Sequence, residues 1–535
     1  MSAGGVNPAS PPPARRIPLL TAGTAAMAAL FFAAFTGHMW EDYFITFRSS
    51  LNLATGHGLV FEPGERLHTF TSPLGTLLPA LFALGGGDDV ATRALWGFRM
   101  MSAAALGTAL WLATRVLLRD GLAPLAVTAA ALAWALDPKT VDFSINGMES
   151  ALLILFIVIT WRGFTDGVGV RWCAIGFAGL QWTRPDGCVF FAVLAAAWML
   201  CAHPCDAPAW RARLRFVIRG AALGVLAYLP WVLFAWAYYG TPVPHTILAK
   251  TSPFAPGELA TTLLLYPWRL LFGHVALHGV FMPAYYFFGD WPPVLGVIAR
   301  LLAVAAALAW AWSALRPAAR IASAAFFLGG FYVEYIPRSP WYYPGWLALG
   351  FIALAGLLDA ALRAEATLPR RLARVGAVTL VLIQGGLLAA VAVQMRAQQI
   401  VIEQNHRREI GLWLRAQAAR GDRVYLEPLG YIGYFSGLKM LDYPGLASPE
   451  VVGARRAGHI SHAQIITALR PEWLVLRPDQ LETVQSESPQ LLTQAYRLAR
   501  VFDVRATVDA LTFLPGRAYL DFDAVFYVFA RQGPR

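Results

Sequence analysis

Charge is scarce in this chain: 14% of its 535 residues are Asp, Glu, Lys or Arg, while 57% are hydrophobic. A soluble domain carries about 25% charged residues, so this balance excludes an ordinary globule and points to a polytopic membrane protein. Acid is scarcer than base, 32 against 43, which leaves a net charge of +11. That excess invites a nucleic-acid partner. The arginines, however, are gathered in short segments between apolar runs, as the positive-inside rule predicts, and no nucleic-acid partner is expected. Cysteine is reduced to Cys173, Cys188, Cys201 and Cys205, all in or beside apolar runs. No Cys/His pairing suggests zinc, and no disulfide framework is expected. The sequence also lacks a Gly-rich phosphate loop in any segment assigned to the cytoplasm, so it shows no sign of a soluble nucleotide donor. A fixed-period internal repeat is missing too, which argues against an inverted-repeat transporter.

What the sequence does have is a series of apolar runs. Residues 1–16 read as a Pro-rich cytoplasmic tail closed by Arg15 and Arg16, followed by an uncleaved first span over about 17–37. Residues 38–94 form a long outer loop, in which the apolar piece Leu74 to Leu84 is too short to span and reads as a re-entrant or surface helix. Further spans are expected at about 95–114, 121–136, 148–163, 172–184, 187–203, 216–238, 291–314, 320–336, 341–362 and 375–396. Arginine-rich connections fall on alternate loops, so they share the cytoplasmic side. Residues 262–289 are surface helices or an extra hairpin, and either choice preserves the parity.

The expected fold class is therefore a polytopic α-helical membrane protein of about 11 spans over residues 17–396. A small α/β domain over 397–535 follows on the outer side. Its strands are expected at Arg423 to Leu426, Lys439 to Asp442, Trp473 to Leu476 and Phe526 to Phe529, with helices near 404–418 and 460–469.

The outer side also collects polar residues. Glu41 and Asp42 follow the first span directly, where paired carboxylates are costly unless water, a cation or a reaction occupies them. Phe44, Phe47 and Leu51 then fall at helical spacing, which predicts an amphipathic helix on the membrane surface ending at Gly56 or Gly58. Glu149 in NGMES stands at the start of a span as a capping acid or a site acid. Arg184 and Asp186 in TRPDG pair across a tight break or bind a ligand. Lys250 could hold a lipid-linked phosphate at headgroup level or snorkel to the interface. Arg66, His68, His245, Arg269 and Arg338 complete the candidate binding set. Trp341, Tyr342 and Tyr343 could line a sugar or lipid groove, or belong to an interfacial aromatic belt.

Read in order, EDYFITFR, GHGLVFEPGERLHTFTSPL, NGMES, TRPDG, YYGTPVPHTILAK, PWYYP and GYIGYFSGLKMLDYPGLASPE resemble the GT-C superfamily of membrane glycosyltransferases that use polyprenyl-phosphate sugars. They look most like the branch with bacterial arabinofuranosyltransferases, and the likeness runs over nearly the whole chain. The resemblance implies a transmembrane bundle topped by a periplasmic domain in the bacterial inner membrane. It also implies an acid of the first outer loop as general base, Asp42 or Glu41, assisted by Glu149. The group usually has Asp-Asp where this chain has Glu41-Asp42, and Asn where His245 stands.

The expected activity is inverting transfer of a sugar, such as arabinofuranose, from a polyprenyl phosphate to a glycan, lipid or protein acceptor on the outer face. Arg66, Arg184 and Lys250 would hold the phosphate. No cofactor is required by this reading, and the outer-loop acids offer oxygen ligands to a divalent ion if one is used. The rival readings are a transporter or flippase, and a non-catalytic sugar-binding scaffold.

Overall fold

The computed structural model describes residues 16–87, 89–166, 169–202, 205–250, 256–335 and 339–533. Arg338 and all of the N-terminal tail except Arg16 lie outside the described residues.

The apolar runs wind into helices because only internal pairing satisfies their backbone polar groups away from water. In chain order these are α1 (Ile17–Thr36), α2 (Glu41–Ala54), α3 (Pro73–Ala83), α4 (Val90–Arg119), α5 (Pro124–Ala135), α6 (Pro138–Ile145), α7 (Ser150–Thr165) and α8 (Val170–Thr183). They continue as α9 (Gly187–Cys201), α10 (Ala207–Tyr239), α11 (His245–Lys250), α12 (Pro256–Phe272), α13 (Pro293–Leu308), α14 (Pro317–Tyr335), α15 (Pro344–Leu362) and α16 (Thr367–Ala397). Proline stands in the first turn of α3, α5, α6, α10 and α15, where its missing N–H costs no helical bond. The 262–289 region forms most of α12 and two 3₁₀ turns, Ala276–Phe281 and Tyr286–Phe288.

Among the described residues, six helices are long and apolar enough to cross a membrane, and a seventh crossing arises if α6 and α7, bent by 115°, count as one broken span. Helices α5 and α9 are apolar but shorter. Outward-facing Leu19, Phe31, Leu226, Trp236, Val378 and Leu382 leave α1, α10 and α16 with broad apolar faces, whereas the interior of the bundle is packed with alanine and large aliphatic side chains. Such faces suit lipid rather than water.

Beyond α16 the chain continues as a π-helical segment, Gln398–Arg408, and then α17 (Glu409–Gln417). A five-stranded sheet follows in the order β2-β1-β3-β5-β4, formed by β1 (Arg423–Leu426), β2 (Lys439–Asp442), β3 (Trp473–Leu476), β4 (Tyr496–Asp503) and β5 (Val525–Arg531). Helix α18 (Leu429–Ser436) makes the parallel crossover from β1 to β2, and α19 (Pro449–Arg456) and α20 (His462–Leu469) lie between β2 and β3. β5 runs antiparallel to β3, and β4 adds an edge. The sequence does not announce β4, because an edge strand burying only its Tyr496 and Phe502 lacks the apolar alternation of a half-buried strand.

One expectation is corrected here. Helix α2 does not rest its apolar face on a membrane surface. Phe44 packs against Tyr431 and Tyr434 of α18, with ring centroids 4.5 Å and 4.7 Å away, and Phe47 is fully buried among α3, α4 and α18 side chains. The apolar stripe is real, and the C-terminal domain covers it.

Candidate active site

The site is assembled from the turn that joins α1 to α2. His38 and Asp142 form a fully buried pair at 2.7 Å, and the Arg99 guanidinium donates to the His38 carbonyl at 2.6 Å and the Ile145 carbonyl at 2.8 Å. The Trp40 N–H donates to the Asn146 carbonyl at 2.8 Å. These bonds tie the start of α2 to the turn between α6 and α7. Gly147 sits in that turn at φ 104°, and a Cβ there would lie 2.5 Å from the Tyr43 ring. Only glycine allows both the backbone conformation and the close approach, and the result is that Glu149 is delivered beside α2.

Asp42 and Glu149 line the same cleft, of about 320 Å³, together with Arg184, Asp186, Lys250 and Tyr342. Ser72, which caps α3 by accepting the Gly75 N–H at 2.8 Å, and Thr46, one turn beyond Asp42, join Thr71 and Thr246 in its hydroxyl lining. Arg184 is the most constrained cation. It contacts Glu149 at 3.1 Å and Asp186 at 2.8 Å, and its guanidinium lies 4.6 Å from the Tyr342 ring centroid. Asp186 accepts a further bond from the Tyr332 hydroxyl at 2.7 Å. Both structural alternatives raised by the sequence are therefore visible, since Arg184 pairs with Asp186 and also faces the cleft. Lys250 and Asp42 take part in no ion pair among the described residues.

The adjacent acids have different surroundings. Burial raises the Asp42 carboxyl above the ordinary aspartate value, opposed chiefly by the positive charge of Lys250. Glu41 points away from the cleft lining, accepting from the Gly430 N–H at 3.1 Å and meeting Arg407 at 2.9 Å. Burial pushes Glu41 up to about 7 despite Arg407, because Glu403, Asp523 and Asp42 add negative charge around it. Asp523, which bridges Arg407 and Arg477, is held down at about 2 by those two cations.

The other candidates lie away from the cleft lining. Arg66 stacks over Tyr238 at 5.0 Å, and His68 is buried against Tyr239 at 4.7 Å. His68 contributes through its backbone, its carbonyl accepting the His245 N–H at 2.7 Å and so holding the start of α11. Tyr343 is buried with Lys139 4.8 Å from its ring centroid, and Arg269 is on an exposed face of α12. Sequence reasoning missed Thr46, Ser72 and Tyr332. The spacing of Thr46 from Asp42, one helical turn, could have found it. Tyr332 lies inside an apolar helix and gives no local signal. Among the described residues, no three His, Cys, Asp or Glu side chains converge to hold a metal ion.

Comparison with known proteins bears on this arrangement. A family described as a domain of unknown function (DUF8728) matches residues 393–523. The chain is 30% identical over 264 residues to a terminal beta-(1->2)-arabinofuranosyltransferase of Corynebacterium glutamicum, covering 44% of this chain and 37% of that protein. It is 27% identical over 249 residues to the protein of the same name from Mycobacterium tuberculosis, covering 42% and 37%. The aligned region thus spans little more than a third of either relative. In fold, the chain is similar to ArnT from Cupriavidus metallidurans, solved bound to undecaprenyl phosphate, with a TM-score of 0.52, 13% identity and coverage of 97% of this chain and 99% of that one. A mycobacterial arabinofuranosyltransferase, AftD, aligns with a TM-score of 0.49 and 14% identity over 96% of this chain and 40% of its own. The chain is therefore similar in sequence, over part of its length, to terminal arabinofuranosyltransferases, and it shares the fold of ArnT.

Proposed function

We propose that this chain is an inverting glycosyltransferase that moves a sugar, arabinofuranose as the leading candidate, from a polyprenyl monophosphate to a cell-envelope acceptor. Asp42 is the general base. It takes the proton of the acceptor hydroxyl as that oxygen attacks the anomeric carbon, and the bond from that carbon to the phosphate oxygen breaks with its electron pair leaving on the phosphate. A carboxylate whose affinity for protons is raised by burial suits this task. Lys250, free of ion pairs among the described residues, and Arg184 neutralise the departing phosphate, while Glu149 orients the acceptor.

The observation that carries the reading is the convergence of Asp42, Glu149, Arg184 and Lys250 on one cleft. An apolar groove lined by Leu74, Phe156, Ile175, Trp182 and Leu223 runs between α3, α7, α8 and α10 and suits the prenyl chain. In the full topology about eleven helices cross the inner membrane, with the N-terminus cytoplasmic and the C-terminal domain periplasmic. A transporter would hold its ionisable residues near mid-bilayer, whereas the cleft acids stand at helix starts.

The test uses the purified full chain, a synthetic polyprenyl-phospho-arabinofuranose and an alkyl arabinofuranoside acceptor. Transfer with inversion is expected from wild type, and Asp42→Asn should lose it. Wild-type turnover in Asp42→Asn would overturn the assignment of the base.

A further inference from the structure

The residue immediately before the base is bound to the C-terminal domain, not to the cleft. The Glu41 carboxylate accepts the Gly430 N–H at the start of α18 and contacts Arg407 of the π-helical segment at 2.9 Å. Arg407 also holds Glu403 at 2.8 Å and contacts Asp523, which pairs with Arg477 at the N-terminus of the helix Pro478–Glu487. Arg477 in turn meets Glu427 at the end of β1. A continuous chain of charged contacts therefore runs from the carboxyl ends of the parallel strands to the first turn of α2. The approach is close as well as charged, since a Cβ on Gly430 would lie 2.1 Å from the Glu41 carbonyl oxygen.

We propose that Arg407 and Glu41 are positioning residues that make docking of the C-terminal domain a condition for placing Asp42 at the reacting centre. The inference rests on the reading of Asp42 as base. In this arrangement neither residue touches substrate. Arg407 holds Glu41, and Glu41 fixes the direction in which the first turn of α2 presents its next side chain. A general base must stand within hydrogen-bond reach of the proton it removes, so a small rotation of that turn lowers turnover without removing a binding group. The donor contacts, made by Lys250 and Arg184 from other segments, are untouched.

The groups facing Glu41 are Asp42 on its own helix, Glu403 and Arg407 on the π-helical segment, Tyr431 on α18, and Tyr519 and Asp523 just before β5. Removing Arg407 leaves three carboxylates with one fewer cation, so Arg407→Met could misfold. Glu41→Gln is the gentler variant, because the amide still accepts from Gly430.

Two readouts test the coupling. In the transfer assay, Glu41→Gln is expected to lower kcat three- to tenfold and Glu41→Ala more than tenfold, with undecaprenyl phosphate binding within twofold of wild type. Arg407→Lys should retain more turnover than Arg407→Met. Hydrogen exchange across residues 40–46, which needs no activity, should quicken in Glu41→Gln. Unchanged kcat in Glu41→Ala, or unchanged exchange in that segment, would overturn the coupling. Failure of the glycosyltransferase reading would instead appear as absent wild-type transfer, with the exchange result still deciding whether the domain orders this turn.

Discussion

At the C-terminal end of α4, a helix of 30 residues and about 45 Å in length, Asp120 accepts the Ala318 N–H at 2.9 Å and Asp359 accepts the Ala123 N–H at 2.8 Å. Asp166 there contacts Arg119 at 3.5 Å and Arg162 at 3.3 Å. The cavity beside them, about 390 Å³, is larger than the candidate active site at about 320 Å³. Size and charge therefore do not separate the two ends. Use of the charges does. At the far end, Asp120 and Asp359 satisfy the backbone amides of a neighbouring helix start, and Asp166 is neutralised by two arginines. At the cleft, Asp42 and Lys250 enter no ion pair among the described residues and face open volume. Carboxylates committed to caps hold a bundle together, whereas a carboxylate and a cation that face a cleft outside any ion pair among the described residues can serve a substrate.

The sharpest way to break this contrast is to neutralise one acid at each end. Asp42→Asn should reduce transfer by about a hundredfold to ten-thousandfold, the usual scale for a general base, while Asp166→Asn should leave turnover within about twofold. Equal losses would erase the distinction. Arg184→Ala comes next, because it strands the buried Glu149 and Asp186 carboxylates. Breaking a buried pair typically costs about 3–5 kcal/mol, so thermal unfolding in detergent should fall clearly. Asp186→Asn should be milder, since Arg184 keeps Glu149.

Gly147→Ala should cost about 1–3 kcal/mol through its strained backbone and its collision with Tyr43, and should lower turnover by moving Glu149. A smaller effect concerns pH. Burial lifts Glu41 from its ordinary 4.5 to about 7. Its contribution to stability is then fully present below the unfolded value and is lost as pH rises through about 7. The melting temperature should drop by roughly a degree or two between pH 5 and pH 8, and Glu41→Gln should flatten that dependence. A steeper slope in the variant would contradict it. At the far end, Asp359→Asn should cost roughly 1 kcal/mol and leave transfer unchanged.

Much of the scaffold was readable in the sequence, because each of the eleven apolar runs exceeds what a loop can hold and each falls on a helix. The strands of the parallel half were readable too, with Arg423–Leu426, Lys439–Asp442 and Trp473–Leu476 in place. Which of those helices cross a bilayer does not follow from run length alone, because α5 and α9 are short and α6 and α7 meet at a sharp bend. In the site, Asp42, Glu149, Arg184 and Lys250 stood out as charges at the edges of apolar runs. Tyr332 did not, being one aromatic among several in FYVEY. The separate surroundings of Glu41 and Asp42 were not legible either, since they depend on Arg407 and Gly430, distant in sequence and adjacent only in the fold.

The π-helical segment Gln398–Arg408 joins the last bundle helix to the sheet domain without a loop, so the two turn as one rod. In an α-helix each residue advances the azimuth by about 100°, and the wider π turn holds the rod at a phase that ordinary winding would not give. Deleting a single residue between 398 and 403 would let the segment relax toward α geometry and swing Arg407 to another side of the rod. The segment thus behaves like a keyed shaft: its length in residues sets the angle at which the sheet domain meets the bundle.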